Sequence, residues 1–454
     1  MFEQHLLPPI SRDISGHAIH QHIRALFPIL RSITGKGIVE TLQYISAQIK
    51  NFSTTSVASG DLVFDWTVPK EWNVSSAKLM DMHKNIIIDI NDSTLHILQY
   101  SLPFNGLVSR EDLEEHLFTL PNQPDLIPYK TSYYTENWGF CLSENQKRTL
   151  TDTHYYVDID ATLTPGFLTY GEVLIPGESD EEFLFSIHCC HPSLANDNLS
   201  SLAIAIELIR KLQDLPERRH SYRFLFLPGT IGSITWLARN SDKTKNIKNG
   251  LVLSCLGDKG PFTYKKARED SASINALMSK LLSRQSNARI WDFEPYGYDE
   301  RQYCSPGFNL PVGCLMRSPN GTFPEYHTSA DNLDFVTPDA LESSFSLLAD
   351  LITITENSLY PVSTSPYGEP QLGKRGLYPL QHEALKTDEI KDDLPDQLGL
   401  LWALNLSDGK NSILDIASRA QRSFRSILYA VGILQKAGLL KLYGREQAQP
   451  FPTP

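Results

Sequence analysis

Apolar residues near the start of the chain recur at spacings of three and four: Ile23, Leu26, Phe27 and Leu30, then Ile38, Leu42, Ile45 and Ile49. Those intervals put them on one helical face. The stretch RSITGKG between them interrupts the pattern, so the spacing predicts two helices around a turn. From about Val57 the period shortens. LVFDWTVP and KNIIIDIND alternate apolar with polar positions and are rich in β-branched and aromatic residues. HILQYSLPFNG, THYYVDIDATLTPG and YGEVLIPGE keep that character. Short strands separated by turn residues predict an inserted β-rich domain over residues 57–165.

Further on, continuous apolar runs replace the alternation. EEFLFSIHCC, YRFLFLPG, NGLVLSCLGD and LPVGCLMRS read as strands buried on both faces. The helical segments LSSLAIAIELIRKLQDL, SITWLARN, SINALMSKLLSR and PDALESSFSLLADLITITEN follow them in turn. This alternation predicts an α/β fold, a mostly parallel sheet flanked by helices. Residues 1–56 and 166–360 would build it. Residues 361–398, with the acidic run TDEIKDDLPD, read as a solvated linker. Residues 399–447 read as three short helices and a terminal GLLKLY strand, a winged helix-turn-helix.

Composition narrows the functions. The 454 residues are 41% hydrophobic and 21% charged, which excludes global disorder, collagen and coiled coil. A net charge of −12 repels phosphate backbones. Residues 401–443 are locally basic, with Lys410, Arg419, Arg422, Arg425, Lys436 and Lys441 against Asp408 and Asp415. Yet the helix SFRSILYAVGILQKAG lacks a cluster of side chains that reads base edges, so a packing or dimer helix is expected and nucleic acid is not. No apolar run is long enough for a membrane span, and the N-terminal residues do not read as a signal peptide. Six cysteines with no CxxC pair fit a reduced, cytoplasmic compartment. The appended modules offer docking surface for a homo-oligomer.

The densest chemistry lies at a strand end. SIHCCHPSLANDNLSS holds His188, His191 and Asp197 within ten residues. Imidazole nitrogens with a carboxylate oxygen suit Zn²⁺. The plainer alternative is an N-cap aspartate beside hydrogen-bonded histidines. A second cluster, EYHTSADNLDFV, supplies His327, which could complete a His/Asp/His set with a position left for water. In YGYDERQYCSPGFN, Asp299, Arg301, Gln302 and Tyr303 are candidates for a substrate wall, Arg301 as a carboxylate-binding fork. Asp258 is a further strand-end carboxylate that could ligate or orient.

These segments resemble the zinc aminopeptidase superfamily, with its phosphorylase/hydrolase-like sheet. ANDNLS resembles the stretch holding its metal-bridging aspartate, here Asp197. SIHCC resembles its first metal strand, with His188 at the histidine position and Cys190 where an aspartate is usual. YHTSAD resembles its final histidine motif, with His327 as ligand. RSITG, FDWTVPKEW, KTSYYTENWGFC, HPSLANDNLS, YDERQYCSPGFNLPVG and DGKNSILDIA are more closely similar to a prokaryotic subgroup linked with polysaccharide biosynthesis. Its members carry an aminopeptidase-like domain, an inserted β domain and a C-terminal winged helix. That resemblance implies one zinc rather than two and puts His191 level with His188 as ligand. It also implies hydrolysis of a small peptide or amide-bearing metabolite.

One position departs from the pattern. The family places a glutamate, the general base, after the strand equivalent to YRFLFLP; here that position is Gly229. Loss of a general base typically costs about 10²–10⁴ in rate. Glu325 or Glu300 would have to substitute. Otherwise the chain is a catalytically impaired member that binds metal or ligand in a regulatory or interaction role.

Overall fold

The computed structural model describes residues 3–377 and 395–448. They divide into two compact units. The larger comprises residues 13–216 and 220–346; the smaller takes the chain's two ends together with residues 217–219.

The larger unit is built on an eight-stranded sheet. Its four central strands run parallel, in the spatial order Ser221–Leu227, Glu182–His188, Ile247–Leu253 and Val312–Met316. Every residue of the first two is buried, as their continuous apolar runs required. The charges those runs carry are paired: Arg223 donates to both carboxylate oxygens of Glu182, at 2.6 and 2.7 Å. Antiparallel strands extend the block, Phe167–Ile175 on one side and Thr263–Lys265 on the other. Helices Ser201–Gln213, Ile231–Arg239 and Ser273–Leu282 alternate with the parallel strands. The two N-terminal helices are Gly16–Leu26 and Lys36–Gln48, with RSITG as the turn between them. The fold is therefore the expected α/β class.

Between residues 57 and 165 lies a four-stranded antiparallel sheet, in the order Ile86–Asp89, Glu71–Met80, His154–Thr164 and Phe104–Ser109. The last residues of His154–Thr164 turn directly into Phe167–Ile175 of the main sheet. Much of the chain between residues 110 and 150 is turns, short helices and two-residue strands. The β-rich pattern there overstated the amount of strand.

In the smaller unit, helices Gln397–Leu406, Ile413–Ala420 and Phe424–Lys436 precede strand Leu440–Tyr443, which makes the winged helix. Ser412 and Asp415 close a capping box at the second helix. Residues 361–398 do not begin as a linker. Tyr360–Ser363 is a strand pairing antiparallel with Leu440–Tyr443. The expected acidic run falls mostly at residues 387–394, outside the described residues. The third helix buries Phe424, Ile427, Leu428, Val431 and Leu434. Arg425 donates to Asp350 at 2.8 Å and to the Ile10 carbonyl at 2.7 Å, and Arg422 pairs with Asp396 at 2.8 Å. Among the described residues, no helix is long and apolar enough to cross a membrane.

Candidate metal centre

The candidate site forms at the carboxyl ends of the central parallel strands, where open α/β sheets collect their ligands. His188 is the last residue of its strand, opposite Leu227 of the neighbour. The chain then turns through residues 189–194 into the ANDNLS segment. There Asp197 has φ −109° and ψ 83°, outside helical geometry. The polar residues of that segment explain its rigidity. The Asn196 amide donates to Asp258 at 2.9 Å and accepts the Gly257 N–H at 2.8 Å. Asn198 donates to the Leu253 carbonyl at 2.8 Å and accepts the Cys255 N–H at 3.2 Å. Both asparagines therefore stitch the segment to the end of strand Ile247–Leu253. Asp258 orients this loop, with Ser318 also donating to it at 2.7 Å, rather than joining the histidines.

The YHTSAD segment is tied to the same turn. The Asp331 carboxylate accepts the N–H groups of Asn196 and Asp197 at 2.6 and 3.0 Å. Burial pushes Asp331 up to about 8 despite those bonds. On its other side the segment is held by the inserted region. The Tyr129 N–H donates to the His327 carbonyl at 2.8 Å, and the Ser329 N–H to Ile127 at 2.9 Å.

Four side chains converge as a result. His188 Nε2 lies 2.7 Å from Asp197 Oδ1, His327 Nε2 3.0 Å from Asp197 Oδ2, and His191 Nδ1 4.0 Å from Asp197 Oδ1. His188 and Asp197 are fully buried and His191 nearly so, while His327 retains some exposure. Burial would raise the Asp197 carboxyl. The histidines around it, two of them bonded to it, outweigh burial and hold it well below the usual carboxylate range. Burial holds His191 well below the usual imidazole range, which leaves it neutral.

Whether these residues fit a metal turns on His191. Its Nδ1 is buried and, among the described residues, has no hydrogen-bond partner. An imidazole nitrogen desolvated in this way is costly unless something uses its lone pair. One donor atom each from His188, His191 and Asp197 lies within 4.8 Å of the others. Zinc–nitrogen and zinc–oxygen bonds of about 2.0–2.2 Å match that spacing. The donor set fits zinc.

Two tyrosines that the sequence reading missed complete the walls. Tyr129 packs edge-on against His191 and His327, at 5.0 Å between ring centroids in each case. Tyr298 lies 3.8 Å from His188. Tyr129 immediately precedes KTSYYTENWGFC, and Tyr298 opens YDERQY, so the flanks of both motifs carried the signal.

Several expected positions take other roles. Glu300 is fully buried and ion-paired with Lys265, and its carboxylate accepts the Tyr298 N–H. It is thereby drawn out of reach of a general-base role. Asp299 is likewise buried: its Oδ1 accepts the Thr230 N–H at 2.7 Å and the Ser233 hydroxyl at 3.0 Å. Tyr303 lies in the core with its hydroxyl 2.9 Å from that of Ser186. These two residues brace strands and loops and do not line an open wall. Arg301 and Gln302 stay partly exposed. Glu325 is half-buried beside Tyr326 and His327 in the chain; among the described residues none bonds its carboxylate.

Sheet, strand-end cluster and appended helices together define an aminopeptidase-like α/β protein with a C-terminal winged helix. Residues 20–358 match the family described as Domain of unknown function (DUF4910), and the chain belongs to that family. Residues 360–442 match a winged helix-turn-helix family. A Clostridium acetobutylicum protein, named as a polysaccharide biosynthesis protein with aminopeptidase-like domain, is 46% identical over 430 residues, covering 94% of this chain and 97% of its own. The crystal structure of a Clostridium acetobutylicum peptidase superposes with a TM-score of 0.86 at 45% identity, covering 94% and 96% of the two chains. A zinc aminopeptidase from Bacillus subtilis shares the fold, with a TM-score of 0.56 at 10% identity over 76% of this chain and 96% of that one.

Proposed function

We propose that this chain is a zinc-dependent, aminopeptidase-like hydrolase acting on a small peptide or an amide-bearing metabolite, in a process linked to polysaccharide biosynthesis. The observation that carries the reading is the unbonded, buried Nδ1 of His191 beside Asp197 and His327. The name of the Clostridium relative supports the link to polysaccharides, and the name of the related crystal structure supports a peptidase.

The hydrogen bonds assign the tautomer of His188. Asn198 Oδ1 accepts the Cys255 N–H, which fixes the amide so that Nδ2 faces His188 Nδ1 at 3.3 Å. His188 Nδ1 therefore accepts, and its proton sits on Nε2, donated to Asp197. A metal bound there would displace that proton, as it would the one that His327 Nε2 gives to Asp197. His188, His191, Asp197 and His327 therefore stay together as the candidate ligands, the first three with the donor spacing of a metal site. Bound there, zinc supplies Lewis acidity toward an amide carbonyl. Tyr129 fixes the faces of two of the imidazoles.

Metal analysis of the purified protein tests this reading. Wild type should retain about one zinc per chain and Asp197→Ala essentially none, with both folded by circular dichroism. Equal zinc in the two proteins would remove the site.

A second reading, a binding or regulatory member without turnover, is favoured by Gly229. Aminoacyl-chromophore substrates separate the two: turnover by zinc-loaded wild type supports the hydrolase, and zinc binding without turnover supports the second reading.

A further inference from the structure

We propose that Tyr298 takes over the position vacated at Gly229, so that the site presents a hydrogen-bond donor where a carboxylate would stand and selects ligands that offer the metal an anionic oxygen. This rests on the zinc reading above and gives it a ligand class.

The argument begins with space. A Cβ built on Gly229 would lie 1.9 Å from the Tyr298 hydroxyl oxygen and 2.5 Å from the ring carbon that bears it. No side chain fits at 229 while Tyr298 holds its place. The glycine and the tyrosine therefore form one substitution rather than a simple loss of a glutamate. The phenol is also held deliberately. The Tyr298 N–H is received by both Glu300 oxygens at 3.2 Å, and Glu300 pairs with Lys265. Lys265 also donates to the Tyr296 carbonyl at 2.6 Å. This buried pair grips the loop on both sides of Gly297. The ring it positions stands 3.8 Å from His188 and 6.2 Å from His191. Beneath it, the Gly229 N–H is tied to Cys190 Sγ at 3.2 Å.

The hydroxyl itself is lightly engaged. Among the described residues its hydrogen-bond partner is Cys190 Sγ, at 4.0 Å, a weak contact. A donor with so little to satisfy it, set against a histidine and carboxylate cluster, stands ready for a ligand oxygen. A glutamate in that space would repel an anionic oxygen; a phenol donates to it, and bonds to charged acceptors are the stronger ones. The class is a carboxylate, hydroxamate or similar oxyanion. Lys265 and Glu300 are positioning residues that act through Tyr298.

The test uses the full chain loaded with Co²⁺, whose visible spectrum reports ligands at the metal, titrated with acetohydroxamate. Tyr298→Phe should keep one cobalt per chain and bind acetohydroxamate about tenfold more weakly than wild type. Gly229→Ala, which displaces the phenol, should weaken binding similarly. Its unfolding midpoint should recover when Tyr298→Ala is added. Equal acetohydroxamate affinity in cobalt-loaded wild type and Tyr298→Phe overturns the proposal and leaves the metal site standing. Absence of a cobalt spectrum in wild type overturns both. A Gly229→Ala midpoint that does not respond to Tyr298→Ala overturns the shared space.

Discussion

Two adjacent parallel strands end side by side and carry different chemistry at their ends. Strand Glu182–His188 runs into His188, His191 and Asp197, a set in which each polar group has a partner or the chemistry to hold a metal. Strand Ser221–Leu227 runs into Pro228 and Gly229, where the resembled family carries its proton acceptor. The first end gathers side chains that could hold a metal; at the second, the Tyr298 phenol lies where a side chain at 229 would stand. On the proposed reading, metal binding and proton transfer would belong to the ends of different strands. Neither strand's core explains the difference, since every residue of both is buried and they pair in register from Glu182–Ser221 to His188–Leu227.

The largest effect belongs to the binding end. His191→Ala should lower zinc affinity by more than the 10–100-fold typical of losing an outer partner of a ligand. His188→Ala should lower it as well, because His188 shares Asp197 with His327 and has the donor spacing of a metal site. Competition titration with a chromophoric chelator reads both. Unchanged zinc affinity in His188→Ala would remove that histidine from the set.

The next effect belongs to the second end. Burial pushes Asp299 up to about 6, and among the described residues its Oδ2 has no hydrogen-bond partner. Its folded value lies above its unfolded one. The stability of the protonated form is therefore complete below the ordinary aspartate range and is lost as pH rises through about 6. Wild type should lose roughly 2 kcal/mol on this account between pH 4 and pH 8. Asp299→Asn does not ionise and should escape that loss. Its unfolding midpoint, compared with wild type, should therefore be more favourable at pH 8 than at pH 4.5. An unchanged gap between the two proteins would show that this carboxyl does not titrate there.

A third effect tests whether the base can be restored. Gly229→Glu alone should gain no peptidase activity and should be destabilised by about 1–3 kcal/mol, the usual range for overpacking. Combined with Tyr298→Ala, the stability loss should shrink. If the single variant hydrolyses aminoacyl chromophores with an unchanged midpoint, the phenol does not block that space.

The sheet was legible because its central strands are uninterrupted apolar runs and its helices amphipathic, patterns that follow directly from burial on two faces or one. The strand-end cluster was legible because His188, His191 and Asp197 lie within ten residues of one another. Other features could not be read from local pattern. Glu300 looks like any loop carboxylate until Lys265, 35 residues earlier in the chain, is folded against it. Tyr303 reads as a polar wall, but its ring belongs to a helix, Glu300–Tyr303, packed into the core. Tyr129 reaches His191 and His327 only through pairing across some 200 residues, as in the Pro128–Thr328 bridge. Residues 361–363 carry too few positions to show a strand whose partner lies near residue 440.

The smallest effect sharpens the same corner. The Ser233 hydroxyl lies 3.0 Å from Asp299 Oδ1 and 2.8 Å from the Thr230 carbonyl, and it has one proton to give. When Asp299 is ionised, the carboxylate is the stronger acceptor and takes the proton. When Asp299 is protonated, the hydroxyl can turn to the carbonyl of its own helical turn. Ser233→Ala therefore removes a charged bond at high pH and an ordinary one at low pH. The variant should lose about 1 kcal/mol at pH 8 and less at pH 4.5. Because Ser233 lowers the Asp299 value, its removal raises that value and carries the pH-dependent loss to higher pH. Unfolding midpoints at the two pH values read the difference, and a greater loss on the acid side would mean that the hydroxyl serves Thr230 throughout.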